Sequence, residues 1–324
     1  MVIDNVSVVI TTLNRSDIVG RAINSVLSQT FENIEVIVVI DGPDERTEKA
    51  LEQINDPRFR VLALPENAGV SEARNSGVRA AKYDWIAFLD DDDEWLPEKL
   101  EKQANAAIPL DKALPVISCL YYSRSATVEL TLPRKSPKPS EHISDYLFTK
   151  NSFFSGVAYL LPSTLLIKKE LLEAVPFRRH IRSQDLDFLL RAAQLEEFCF
   201  EVVQYPLIIY HVLEQGQRLS QRDNAGKSIV WIRNNYHLFT HRAYVGYVAK
   251  NLSTEARRQN SWKFFVPLLR EMFRFGRPKW VEFAIFLCTW FVPEGVLLLA
   301  KKIIGKKGAI THVNKGNSYM GSIL

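Results

Sequence analysis

Four consecutive aspartates, Asp90 to Asp93, close the apolar run Trp85–Leu89 (WIAFL). Carboxylates at contact distance repel and raise one another's pKa, so the run calls for a counter-cation. A hard divalent ion, Mg²⁺ or Mn²⁺, answers that call. Such an ion takes oxygen ligands and rests on one or two protein carboxylates plus substrate phosphates. The bland alternative is a solvated acidic turn ahead of the helix that starts near Pro97. Position favours the metal, because two other polar segments, Thr11–Arg15 and Asp41–Asp44, also follow apolar runs directly.

The elements that must hold these segments alternate. Val6–Thr11 (VSVVIT) and Glu35–Ile40 (EVIVVI) are short apolar runs rich in β-branched residues, the mark of buried parallel strands. Ser16–Thr30 carries an apolar stripe at helical spacing (Ile18, Val19, Ala22, Ile23, Val26, Leu27). Glu45–Ile54 reads as a helix, Arg58–Leu64 as a strand and Ser71–Ala81 as a helix. The order βαβαβαβ requires an α/β fold, a mainly parallel sheet with helices on both faces. Ligands bind such sheets beyond the carboxyl ends of the strands, so the three polar segments converge on one crevice.

The middle of the chain predicts strands at Val116–Ser123, Ser163–Ile167, Glu201–Gln204 and Leu207–His211. It also predicts a Pro- and Lys-rich loop at Leu132–Ser140 and a short helix at Asp185–Ala193. After Ser220 the pattern is helical. Val281–Leu299 is apolar but broken by Glu282, Pro293 and Glu294, which argues for two short helices rather than one bilayer-spanning helix.

The composition is that of a globular chain of 324 residues, 47% hydrophobic and 24% charged, which excludes disorder for most of it. Three isolated cysteines offer no CxxC pair, which suits a reducing cytoplasm, and no cleaved signal is expected from Met1-Val-Ile-Asp-Asn. The net charge of +4 hides a split. Residues 1–220 hold 24 basic and 32 acidic residues, residues 221–324 hold 17 and 5. Lys301, Lys302, Lys306 and Lys307 follow the apolar tail segment, and Trp280, Trp290 and Phe291 flank or interrupt it. That combination leads to two expectations of equal weight: docking on an anionic membrane surface, or packing of the same segment on the catalytic domain or in a dimer. Nothing in the chain has the spacing of a zinc finger or a known RNA motif, so no nucleic-acid partner is expected.

Five segments in order, VSVVITTLNR, EVIVVIDGPDERT, NAGVSEARNSG, WIAFLDDDDEW and RSQDLDFLLRA, carry a resemblance. Over roughly residues 5–220 the sequence resembles the family 2 glycosyltransferases of bacterial surface-polysaccharide type, inverting enzymes of the GT-A fold that use nucleotide-sugar donors. The resemblance implies a catalytic domain over 1–220 and a helical region over 221–324. Within the first, a donor half spans about 1–110 and an acceptor half about 111–220. It implies a nucleotide-diphosphate sugar as donor, a UDP-sugar first, a glycan or lipid-linked acceptor, and work in the cytoplasm or at the inner face of the membrane. Asp92, with Asp90, would bind Mn²⁺ or Mg²⁺, and Asp90 or Asp91 would face the donor ribose. Thr11 and Asn14 would hold the nucleoside, although Thr12-Leu13 stands where the family has Pro-x-Tyr. Asp41 would accept from the base imide or serve only as a turn residue before Gly42-Pro43. Arg74 would bind diphosphate or ribose oxygens, while Asn75 and Gly77 serve close packing. Asp185, in a QD variant of the family's ED motif, would be the base; its alternative role is an N-cap. Asp187 would be structural. His211 would complete metal or phosphate contacts and Arg218 would clamp phosphate where a loop closes over the diphosphate; an ordinary structural role is an equal alternative for each.

Three rivals are distinguishable. A sugar-phosphate nucleotidyltransferase would carry a Gly-rich loop after the first strand, and a Rossmann dehydrogenase GxGxxG; TTLNRSD holds no glycine. A nucleotide-sugar-binding protein without transferase activity would follow if Asp185 were only a cap.

Overall fold

In a computed structural model, the structure describes residues 2–110, 113–125, 129–138, 140–151, 158, 160–179, 183–212, 225–259 and 261–292. Four parallel strands form one half of a nine-stranded sheet: β3 (Phe59–Ala63), β2 (Ile34–Ile40), β1 (Val6–Thr12) and β4 (Trp85–Asp90), in that spatial order. The order continues through β8 (Leu166–Lys168), β6 (Leu114–Arg124), β9 (Phe198–His211) and β5 (Asp93–Trp95), with β7 (Glu129–Leu132) on β6. β8 runs antiparallel to β4 and to β6, β9 is parallel to β6, and β5 is antiparallel to β9.

The β-branched runs form β1 and β2 because both faces of these strands are covered; all of β2 is buried. Helices α1 (Val19–Leu27), α2 (Glu45–Leu51) and α3 (Val70–Ala80) are the crossovers. Gly77 lets α3 lie flat on the sheet: a Cβ there would collide with the Val9 side chain. Asn75 locks the same helix to the backbone of Phe177, donating to its carbonyl (2.8 Å) and accepting from its N–H (3.1 Å).

Helix α4 (Lys99–Ala107) follows β5, and α5 (Ile143–Phe148) and α6 (Lys169–Ala174) lie in the middle segment before α7 (Gln184–Ala192). The expected strand Ser163–Ile167 is displaced. A 3-10 turn at Pro162–Thr164 occupies its first half, because Ser163 is turned to serve the aspartate run. The two strands expected between Glu201 and His211 are one continuous strand with irregular register near Leu120 and Pro206.

The carboxyl-end region is helical: α8 (Ala225–Asn234), α9 (His241–Gly246), α10 (Ser253–Arg258), α11 (Phe265–Arg274) and α12 (Trp280–Phe291). A π-helical stretch at Tyr247–Leu252 joins α9 to α10. One apolar core runs from Val9 and Ile37 in the sheet through Phe148 and Phe188 to Phe286 and Trp290. No described helix is long and apolar enough to cross a membrane.

Candidate active site

The register of the sheet brings the three polar segments level. Thr11 lies opposite Val39 on one side and Asp90 on the other, so β1, β2 and β4 end side by side. Beyond those ends, each aspartate of the run is handled differently. Asp90 takes the guanidinium of Arg74 (2.7 Å). Asp91 is buried, accepting from Thr12 Oγ1 (2.7 Å) and Arg15 Nη1 (2.6 Å). Asp92 meets Arg15 at 3.2 Å, and its backbone carbonyl accepts from Arg21 (2.8 Å). Asp93 enters β5, where Ser163 Oγ donates to it (2.5 Å). The protein thus supplies part of the counter-charge itself, through Arg15 and Arg74. Burial, with the neighbouring charge of Asp92 adding to it, pushes the Asp91 carboxyl up to about 6 against the pull of Arg15 and Thr12. Asp90 and Asp92 are the half-exposed members of the run.

Arg74 is carried on α3 and is only 4% exposed. Its Nη2 serves Asp90, and its Nη1 has no hydrogen-bond partner. An orphaned guanidinium N–H, desolvated beside strand ends, is a donor held ready for an anion. Asp185 opens α7 within electrostatic reach of both Arg74 and Asp90. Burial raises its carboxyl above the usual carboxylate range; Arg74 and the backbone N–H groups of Asp185 and Leu186 oppose that. Asp185 does not cap the helix in the usual way. The cap position is Ser183, whose side chain makes no capping bond. Gln184 is hydrogen-bonded to Ser71 at the start of α3, which fastens the helix of the predicted base to the helix of Arg74.

Asp41 is buried and accepts from the backbone N–H groups of Ala68 (2.9 Å) and Gly69 (3.1 Å) through Oδ1. Oδ2 has no hydrogen bond among the described residues, so the carboxylate fastens a loop with one oxygen and offers the other. Burial holds this carboxyl above its ordinary value, opposed by the two N–H groups. Asn14 is exposed in the left-handed region (φ 55°), its N–H donating to Asp44 (2.6 Å), and Thr11 is half-buried on β1.

His211 stands at the end of β9, its ring nitrogen 3.4 Å from Glu94. Burial, aided by Arg21, lowers its pKa, and Glu94 opposes. Arg218 lies outside the described residues. Asp187 is fully buried against Arg191 (2.7 Å) and Trp231 (3.1 Å). Thr12, Arg15 and Asp44, which the sequence marked only as parts of two polar segments, hold the site together with Ser163, which it did not mark. The signal for Arg15 was its place on a strand-end loop facing an acidic one; Ser163 sits in an apolar run and gives no signal.

The glycosyl transferase family 2 model matches residues 7–175, more than half of the chain. Among curated proteins, the chain is 27% identical over 256 residues to the amylovoran biosynthesis glycosyltransferase AmsB of Erwinia amylovora, covering 74% of this chain and 82% of that one. It is 39% identical over 100 residues to the putative teichuronic acid biosynthesis glycosyltransferase TuaG of Bacillus subtilis, covering 30% and 40%. Among solved structures, S. aureus TarS in complex with UDP-GlcNAc superposes with a TM-score of 0.51 at 17% identity, covering 91% of this chain and 83% of that one. At that identity the likeness is one of fold, the GT-A arrangement of the sheet.

Proposed function

The chain belongs to glycosyl transferase family 2, and from that premise we propose that it moves a sugar from a nucleotide-diphosphate sugar, a UDP-sugar first among them, to an acceptor hydroxyl with inversion at the anomeric carbon. The observation that carries the reading is the trio Arg74, Asp90 and Asp185. A buried guanidinium with one unpaired N–H and a carboxyl of raised pKa stand together at the strand ends.

The Asp185 carboxylate takes the acceptor proton as the hydroxyl oxygen attacks the anomeric carbon. The bond to the acceptor forms on the face opposite the diphosphate. The bond to the diphosphate oxygen breaks, and the electron pair leaves with the nucleoside diphosphate. Burial makes Asp185 a stronger base than an exposed carboxylate, which suits proton transfer near neutral pH. Arg74 Nη1 binds diphosphate oxygens, where its charge counts most as the leaving group gains charge. Asp41 Oδ2 accepts from an imide N–H of the base, and Thr11 and Asn14 line the nucleoside side.

The donor set suits a hard cation. Asp90 and Asp92 are half-exposed oxygen donors, and among the described residues no group of three His, Cys, Asp or Glu side chains gathers around a common point. Mn²⁺ or Mg²⁺ would rest on Asp90 and Asp92 and on donor oxygens, where it would supply charge neutralisation of the diphosphate. The names of AmsB and TuaG support a role in polysaccharide synthesis, and the acceptor in this reading is a glycan or a lipid-linked glycan.

The test is a thermal-shift panel of UDP-, dTDP-, GDP- and CMP-sugars with Mn²⁺, followed by turnover of any donor that binds. Donor-dependent product with inverted configuration supports the reading. Binding without turnover on any acceptor leaves a nucleotide-sugar-binding protein. Pyrophosphate release from a nucleoside triphosphate and a sugar phosphate assigns a nucleotidyltransferase instead.

A further inference from the structure

The apolar tail segment is partly claimed by the core. Trp290 and Phe286 are fully buried, and Val281 is buried with them, so the inner face of α12 packs against the helical region. Trp290 therefore serves packing and not a membrane interface. The residues beyond Val292 lie outside the described part.

The outer faces of α11 and α12 are different. On α11 the exposed positions recur at helical spacing: Val266, Arg270, Phe273 and Arg274, continued backwards by Trp262 and Lys263. On α12 the outer stripe is Trp280, Phe283 and Phe291, with Leu287 half-buried between them. The two stripes meet where the Trp262 ring lies 5.6 Å from that of Phe291. Trp280 is 74% exposed, Phe291 61% and Phe273 59%, an unusual load of bare aromatic surface for one module.

The charge around it has one sign. Residues 262–291 hold five basic side chains (Lys263, Arg270, Arg274, Arg277, Lys279) and two acidic ones. Both acids, Glu271 and Glu282, are 2% exposed. Glu271 is taken up by Arg233 and Tyr244, and Glu282 bonds the Lys279 N–H. Every charge the segment shows to solvent is positive. Lys263, Arg270 and Arg277 have no carboxylate partner among the described residues. A surface that is both aromatic-apolar and purely cationic matches an interface whose outer layer is anionic and whose next layer is hydrocarbon.

We propose that the outer faces of α11 and α12 dock this chain on an anionic lipid bilayer, with Trp280, Phe273 and Phe291 entering the headgroup region and the basic residues of α11 and the α11–α12 connection facing lipid phosphate. Exposed Val266 and Phe283 beside them have apolar area to bury and no polar group to offer, which favours a bilayer over a nucleic acid. The sequence that follows continues the theme, with Val296–Ala300 apolar and four lysines between 301 and 307.

The test is flotation of the full chain with vesicles of phosphatidylcholine alone and with 30% phosphatidylglycerol, with poly(U) and sedimentation velocity as controls. Wild type floats with the anionic vesicles and is released by 0.5 M salt, and Trp emission shifts to the blue on binding. Phe273→Ser/Trp280→Ser/Phe291→Ser loses flotation at least tenfold. Arg270→Glu/Arg274→Glu loses it by roughly thirtyfold or more, since each basic residue near such a surface contributes roughly fivefold in partitioning. Both variants keep the wild-type circular dichroism and donor thermal shift, which shows that they fold. The proposal is overturned if the wild type ignores anionic vesicles, or if both variants float like it, since the binding then lies in other residues. It is equally overturned if poly(U) binding exceeds vesicle binding, or if the face is covered by a second copy that the aromatic variant disperses.

Discussion

The indole N–H of Trp231 donates to the buried carboxylate of Asp187 at 3.1 Å. Trp231 belongs to α8 of the helical region, and Asp187 lies two residues after Asp185 on the helix that opens at the candidate site. The helical region therefore holds one of the site's own elements in place. Arg191 closes the other oxygen of Asp187 at 2.7 Å, and Arg178 stands 3.6 Å away, so this carboxylate is fully engaged and does not face substrate.

Trp231→Phe tests that relationship at small structural cost. It keeps an aromatic ring beside Phe239 and Tyr247, and it removes the indole N–H together with part of the ring's contact area. The expected loss is about 1–3 kcal/mol in unfolding free energy, from the lost hydrogen bond and the lost ring contacts, measured by urea titration. Asp185 is also left less well oriented, so the maximal transfer rate falls a few fold while donor affinity stays unchanged. Asp187→Asn costs more, about 3 kcal/mol or above, because a buried ion pair loses one partner. An unchanged transfer rate in Trp231→Phe would sever the link between the helical region and catalysis.

Asp185→Asn keeps the shape of the side chain and removes the proton acceptor. Transfer is expected to drop by about 10²–10⁴-fold, with donor binding by calorimetry intact. The wild-type pH profile follows from the sign of the shift. Burial raises the Asp185 pKa, and the base works only when deprotonated. The rate therefore climbs with pH through a midpoint above the ordinary value of 3.8 and is lost on the acid side. A product of retained configuration by NMR would defeat the base assignment.

Arg74→Lys separates charge from geometry. The lysine keeps one positive charge, but it cannot hold Asp90 and a diphosphate together as a planar fork does. Donor KM should rise about tenfold or more, and Arg74→Met should cost further. In parallel, excess EDTA and Asp92→Asn should each remove metal-stimulated turnover. Full activity in EDTA would leave Arg15 and Arg74 as the only charge compensation of the site.

How much of this was readable in advance depended on range. The parallel half of the sheet was legible because its strands are continuous apolar runs and its crossovers carry helical stripes, both local signals. Gly77 and Asn75 were legible as packing residues. The sharing out of the aspartate run was not. It depends on Arg15 and Ser163, which lie 76 and 70 residues from their partners and come near only when β1, β4 and the Pro162 turn align. Arg15 and Arg74, distant in sequence, supply part of the counter-charge that the acidic segment calls for. For the aromatic tail the sequence left docking and packing at equal weight, and Trp290 is buried in the core. Burial of one helix face depends on α10 and α11, which sequence spacing alone does not place.

Lys99 gives the last prediction. It is fully buried on α4, donates to Gln103 at 2.7 Å, and lies 3.7 Å above the Trp95 ring, with the Cys119 thiol nearby. Burial lowers its pKa from 10.5 to about 7, opposed weakly by Cys119, and burial pushes Cys119 up to about 12, so the thiol stays protonated. The unfolded chain keeps the proton up to about 10.5, while the folded chain releases it near 7. Between these values the unfolded state binds more protons, so the Lys99 contribution to stability rises with pH across that window and is flat below it. Lys99→Met removes the titration. It also leaves the Gln103 oxygen without its donor, which costs about 1–3 kcal/mol at every pH. The comparison therefore rests on slope. Urea midpoints taken at pH 6.5, 8 and 9.5 should climb more steeply for the wild type than for Lys99→Met. Parallel curves would mean that the amine finds water or a counter-charge in the folded state.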